Sequence, residues 1–108
     1  MDINLSEDYT LNPEEKKERD EQISVLYVDD EVINLKAFQA NYRRDFNVLI
    51  ARSAEEGLKI VEENKLHVIL TDQRMPVMTG VEFLEQVQQK HPEPIRILIT
   101  AFSNIQAV

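Results

Sequence analysis

Three aspartates stand where short apolar runs stop. Asp29 and Asp30 follow Val25-Leu26-Tyr27-Val28, and Asp72 follows His67-Val68-Ile69-Leu70-Thr71. A hydroxyl, Thr100, ends a further run, Ile95-Arg96-Ile97-Leu98-Ile99. Each acid alone has an ordinary explanation, because Asp caps helices and populates turns. A β-branched threonine finishing a strand is equally ordinary. The set is harder to dismiss. Carboxylates crowded together are costly unless one holds a proton or a cation lies between them. Carboxylate oxygens, a main-chain carbonyl and waters are the ligands magnesium prefers. A carboxylate exposed at a strand end, such as Asp72, can attack a phosphoryl group in line and form an acyl phosphate. A metal would neutralise charge on the transferring oxygens, and the Thr100 hydroxyl could donate to one of them.

For these residues to meet, the chain must bring strand ends together, and the pattern supplies a way. Val25 to Val28 is a continuous apolar run, as a parallel strand buried on both faces requires. Leu35, Phe38 and Tyr42 recur at helical spacing and predict a helix over residues 32–43. Phe46-Asn47-Val48-Leu49-Ile50 reads as a second strand. Ser53, with Glu56 three residues on, predicts a capping box for a second helix whose inward stripe is Ala54, Leu58 and Val61. A third strand covers residues 67–71, and residues 73–80 form a loop holding Pro76 and Gly80. Val81, Leu84 and Val87 predict a third helix that stops at His91-Pro92, since proline disfavours helical geometry in the residue before it. Residues 95–99 form a fourth strand, and Ser103 or Asn104 is placed to cap a fourth helix.

Alternating strands and helices imply a parallel sheet with right-handed crossovers and helices on both faces. In such sheets ligands bind outside the carboxyl ends of the strands, where strand order reverses. In the common flavodoxin-like order 2-1-3-4-5 the first and third strands are neighbours, about 4.8 Å apart, and Asp29, Asp30 and Asp72 converge. The fourth strand is expected to leave an apolar open edge, which makes a homodimer or swapped assembly an expectation.

Composition narrows the alternatives. The 108 residues fit one small domain, 43% hydrophobic and 30% charged, without cysteine and so without disulfides or thiolate metal sites. The first ten residues lack the basic and apolar segments of a secretory signal, and no apolar run approaches a membrane span, so a cytoplasmic protein is expected. Residues 1–22 hold eight acids against three bases and carry −5 of the net −8. They read as an acidic leader, disordered or marginally helical, with Asn12-Pro13-Glu14-Glu15 able to start a short helix. Residues 23–108 form the folded domain. Arg43-Arg44 and Lys16-Lys17 are isolated basic pairs, so no stripe exists for nucleic-acid phosphates. His67 and His91 have no nucleophile pattern around them and read as boundary residues. Met75 and Met78 flank Pro76 and read as anchors of the loop.

At these residues the chain resembles the response-regulator receiver domains of two-component signalling. Val28-Asp29-Asp30-Glu31 resembles that family's acidic pair, residues 70–80 its phosphoacceptor strand and loop, and Ile99-Thr100-Ala101 its switch-threonine segment. The resemblance implies Asp72 as phosphoacceptor and Asp30 as direct ligand of Mg2+. It implies that Asp29 acts mainly through metal-bound water, that the main-chain carbonyl of Arg74 is a third protein ligand, and that Thr100 is the switch hydroxyl with Ala101 leaving it room. It further implies a histidine kinase or histidine phosphotransfer protein as donor. Receivers also carry a fifth strand with a lysine and a switch aromatic, then a fifth helix. The sequence ends at Val108 before these and before any output domain, and is expected to be a truncated or proteolytic piece. The Asp-Gln-Arg-Met-Pro wording is similar to receivers joined to phosphodiesterase or ATPase outputs. Arg74 is expected to gate access to the acceptor. Two other functions compete. One is a receiver-fold interaction module that is never phosphorylated. The other is a flavodoxin-like FMN carrier, whose phosphate loop would fall where this chain puts Asp-Asp-Glu and would be repelled.

Overall fold

The computed structural model describes residues 12–14 and 22–100. Four parallel strands, β1 (Ser24–Val28), β2 (Asn47–Ala51), β3 (Val68–Asp72) and β4 (Ile95–Ile99), alternate with helices α1 (Val32–Tyr42), α2 (Ala54–Glu63) and α3 (Gly80–Lys90). The sheet order is β2-β1-β3-β4, so the direction of winding reverses between β1 and β3. This is the expected α/β flavodoxin-like arrangement over its first four strands. The expected cap at Ser103 or Asn104, Ala101 and most of the acidic leader lie outside the described residues. Of the leader's anticipated turn, Pro13 and Glu14 are helical and exposed.

β1 pairs on both sides, Val28 opposite Ala51 on one edge and Thr71 on the other. That central position explains its uninterrupted apolar run, because neither face meets water. Leu26 and Val28 join the main core with Ile69, Ala54, Val61, Phe83 and Val87. Tyr27, on the opposite face, packs its ring against Phe38 of α1 with centroids 4.8 Å apart. The aromatic series continues from Phe38 to Tyr42 and on to Phe46. α1 and the pair α2–α3 therefore cover opposite faces.

Three details depart from the sequence pattern. β2 begins at Asn47, since the Phe46 amide still bonds back to Tyr42 while Asn47 N donates to Ile23 O at 2.9 Å. β3 begins at Val68, because His67 is used as an end-piece: its Nδ1 accepts from Ser24 N at 2.9 Å. In α3 the fully buried residues are Phe83 and Val87, while Val81 is 40% exposed. The inward stripe runs through Gly80, Phe83 and Val87 rather than Val81, Leu84 and Val87. α2 shows a smaller shift, with Gly57 buried and Leu58 only half-buried. A Cβ at Gly57 would stand 3.0 Å from Phe83 Cζ, so the bare α-carbon lets α2 and α3 approach around that ring.

Capping explains the helix starts. Ser53 Oγ accepts from Glu56 N at 3.1 Å, but the Glu56 carboxylate takes the Arg52 amide at 2.7 Å, not that of Ser53. The predicted box is thus closed on one side only. The complete box is at α3, where Thr79 Oγ1 accepts from Glu82 N and Glu82 Oε1 accepts from Thr79 N. α3 ends with His91 N bonded to Val87 O, ahead of Pro92. Among the described strands β4 lies at the edge, with Ile95 63% and Ile97 41% exposed.

Phe83 touches both helices' packing and the sheet and has no exposed surface. Phe83→Ala should lower unfolding stability by about 3–5 kcal/mol, read from the urea midpoint at unchanged slope.

Candidate metal and phosphoryl site

The residue after β1 is tied to the neighbouring strand, Asp29 N donating to Ala51 O at 3.1 Å. This keeps the chain extended one residue beyond the strand, so Asp29 lies on the Tyr27 face by alternation. Its carboxylate is 2% exposed and fully engaged. Oδ1 accepts from Glu31 N at 2.9 Å; Oδ2 accepts from the Tyr27 hydroxyl at 2.6 Å and from Asn34 Nδ2 at 3.1 Å. Asp30, next in the chain, is exposed.

Asp72 is the last residue of β3 and still part of the ladder, opposite Ile99. Gln73 N donates to Ile99 O at 3.2 Å, which fixes the direction in which the chain leaves the strand. Carboxylate oxygens of Asp29, Asp30 and Asp72 all fall within 4.8 Å of one another. The adjacent pair Asp29–Asp30 and Asp72, more than forty positions further along the chain, thus share one cluster of hard oxygen donors that could hold a cation. Thr100 comes directly after the ladder partner of Asp72 and is half-buried. Burial, and then the negative charge of Asp29, push the Asp72 carboxyl above its ordinary range; Asp30 adds to this more weakly. The main-chain N–H groups of Gln73 and Arg74 act in the opposite direction. Desolvation and like charge are the expected consequences of packing acids together.

The loop from Gln73 to Thr79 is shaped by constraints that the sequence pattern did not single out. Gly80 N donates to Gln73 O at 3.1 Å, and Val81 N donates to the Gln73 side-chain oxygen at 3.0 Å. Gln73 therefore closes the loop and also satisfies a free amide of α3. A Cβ at Gly80 would collide with the Asp72 carbonyl oxygen and stand 2.8 Å from Leu98 Cδ1. Met75 is buried in the core and Met78 packs against it, as loop anchors. Between them Met78 N donates to Pro76 O at 2.7 Å, with Val77 at φ 73°. This is a γ-turn with a positive φ at its centre, a strained geometry for a β-branched residue. The buried Thr71 hydroxyl donates to the Asp72 carbonyl at 3.0 Å. His67 and His91 stay away from the acids; His91 Nε2 lies 3.2 Å from Glu62 on the α2–α3 side.

The sequence pattern assigns Tyr27 and Asn34 no place in this region, and it assigns Thr71 and Gln73, within the phosphoacceptor strand and loop, no separate role. Tyr27 carried a readable signal, since residues two apart on a strand share a face. The contacts of the others depend on how helix, strand and loop meet in space.

An open parallel sheet with acids converging outside its central strands defines a doubly wound α/β domain with an anionic pocket at its switch point. Comparison with known proteins makes the class specific: residues 25–108 match the response regulator receiver domain family, and the chain belongs to it. It is 39% identical over 89 residues to the hydrogenase transcriptional regulatory protein HoxA of Cupriavidus necator, covering 82% of this chain and 18% of that protein. It is 30% identical to the transcriptional regulatory protein ZraR of Escherichia coli, covering 80% of this chain and 20% of the relative. The chain thus spans about a fifth of these relatives' length. Among solved structures, a response regulator receiver domain protein from Clostridium thermocellum superposes with a TM-score of 0.71 at 30% identity, covering 79% of this chain and 70% of that one. A CheY-like receiver from Methanospirillum hungatei gives 0.72 at 29% identity, covering 75% and 66%. Among the described residues no helix is long and apolar enough to cross a membrane.

Two outcomes test this geometry. Because the Asp72 carboxyl titrates above its ordinary range in the folded chain, the fold binds that proton more tightly than the unfolded chain does, and stability falls as pH rises through the interval. In EDTA at pH 7, Asp72→Asn should therefore melt at a higher temperature than the parent. The gap should close as pH falls into the ordinary aspartate range, where both states of the parent hold the proton. Gly80→Ala should lower stability by about 1–3 kcal/mol by displacing the Asp72 carbonyl, read by chemical denaturation.

Proposed function

We propose that this receiver domain accepts a phosphoryl group on Asp72, with Mg2+ held by Asp30, Asp72 and the main-chain carbonyl of Arg74. Asp29 would act through metal-bound water. The observation that carries this reading is the convergence of three carboxylates within 4.8 Å beside the end of β4. The donor set suits the ion, being oxygen only and with no nitrogen or sulfur ligand to favour a softer metal. Asp29 spends both oxygens on hydrogen bonds, whereas Asp30 is exposed, which supports the division of labour between them. When bound, the cation supplies neutralisation of the charge on the transferring oxygens.

The chain's own residues do the rest. The Asp72 carboxylate oxygen forms a bond to phosphorus as the bond from phosphorus to the donor's imidazole nitrogen breaks, so the imidazole leaves and an acyl phosphate remains. Thr100 donates its hydroxyl to a phosphoryl oxygen. The Gln73–Ile99 bond and the packing of Gly80 against Asp72 keep the acceptor aimed out of the sheet. A histidine kinase or histidine phosphotransfer protein in the cytoplasm is the donor, and phosphorylation switches a downstream output. Arg74, exposed beside the acceptor, gates its access to water and to the donor. The exposed β4 edge, with Ile95 and Ile97, is the surface for homodimer or swapped association.

Incubation of the chain with Mg2+ and acetyl phosphate tests the reading by intact mass. A gain of one phosphoryl group is expected, absent in Asp72→Asn and absent without Mg2+. A gain that survives Asp72→Asn defeats the assignment. No gain, and no spectroscopic response to beryllofluoride, favours a domain that works by contact alone.

A further inference from the structure

The Asp29 carboxylate is almost wholly removed from water, and no cationic side chain bonds to it among the described residues. A buried carboxylate in that position needs donors. Two come from the turn into α1, namely Glu31 N and Asn34 Nδ2. The third and shortest is the phenol of Tyr27, at 2.6 Å, a separation typical of a hydroxyl donating to an ionised carboxylate. Tyr27 itself is 7% exposed, and its ring is held by Phe38, which in turn packs on Tyr42. The phenol cannot swing aside without disturbing that aromatic series.

We propose that Tyr27 is a positioning residue of the acidic site: its hydroxyl holds Asp29 in the orientation that receives metal-bound water, and so helps to set the affinity for Mg2+. The inference rests on the metal-site reading above. Partners that orient a ligand or its water network commonly change metal affinity by about 10–100-fold when removed. Asp29 without the phenol keeps Glu31 N on Oδ1 and Asn34 Nδ2 on Oδ2, so its carboxylate stays in place approximately but loses its shortest bond and is held less firmly.

The arrangement also provides a reporter. The chain has three tyrosines, Tyr9, Tyr27 and Tyr42, and no tryptophan to mask them. Only Tyr27 bonds to an acid of this cluster among the described residues. A cation that draws on Asp29 changes the hydrogen bond to the phenol, and with it the near-ultraviolet absorption of that tyrosine.

The test is a Mg2+ titration of the 108-residue chain, followed by calorimetry for affinity and by tyrosine difference absorption for the signature. The parent, Tyr27→Phe, Tyr42→Phe and Asp30→Asn are compared. Tyr27→Phe keeps the ring and loses only the oxygen. It should retain the parent's far-ultraviolet circular dichroism, bind Mg2+ about tenfold more weakly, and lose the Mg2+-induced tyrosine signal. Tyr42→Phe should keep both affinity and signal. A Tyr27→Phe chain with unchanged Mg2+ affinity, or a parent whose tyrosine signal ignores Mg2+, overturns the positioning role and leaves the metal site standing. If the parent binds no Mg2+, or Asp30→Asn binds as the parent does, the metal-site reading fails and the role of Tyr27 fails with it.

Discussion

Three carboxylates within 4.8 Å of one another repel, and the β-ladder is what keeps them together. The hydrogen bonds from Asp29 N to Ala51 O and from Gln73 N to Ile99 O extend the sheet past the last apolar residues of β1 and β3. Asp29 and Asp72 are thereby fastened through the main chain, so their side chains cannot relax away by a small backbone movement. The electrostatic cost appears in the raised Asp72 carboxyl and is borne by the packing of the sheet beneath. A cation removes that cost, so the same crowding that destabilises the empty pocket favours the loaded one.

The acids are not equivalent, and their differences follow from local surroundings. Asp29 is buried and accepts three hydrogen bonds, so little of it is left for direct ligation. Asp30 is exposed, and Asp72 is half-buried at the mouth of the strand. The result is one buried, hydrogen-bonded carboxylate, one exposed carboxylate and one poised at a strand end. That graded arrangement suits a site in which a metal must be held while one oxygen stays available to react.

The loop after β3 is under opposing demands. It must leave the strand at Asp72, bury Met75 and start α3 with its bare α-carbon against the Asp72 carbonyl. Seven residues manage this only by turning tightly at Pro76–Met78, which leaves Val77 fully exposed at positive φ. The bonds of Gln73 to Gly80 and Val81, together with the Thr79–Glu82 cap, offset that strain.

Much of this was legible in the sequence because it is local. Apolar runs that stop at acids mark strands and their ends, and their alternation with helical spacing limits the fold to a parallel sheet whose ordered ends bring Asp29, Asp30 and Asp72 together. The Thr79-Gly80-Val81-Glu82 cap has its sequence signature too, a threonine three residues before a glutamate. What only the tertiary structure decided is the rotation of α3 and the surroundings of each acid. The close approach of Gly80 to Asp72 sets where the helix begins, and that turns Phe83 rather than Leu84 into the core. Likewise, strand alternation puts Tyr27 and Asp29 on one face but does not say that the phenol will reach the carboxylate and not water. That depends on Phe38 closing over the ring from another element, a contact between distant residues that periodicity along one segment does not encode.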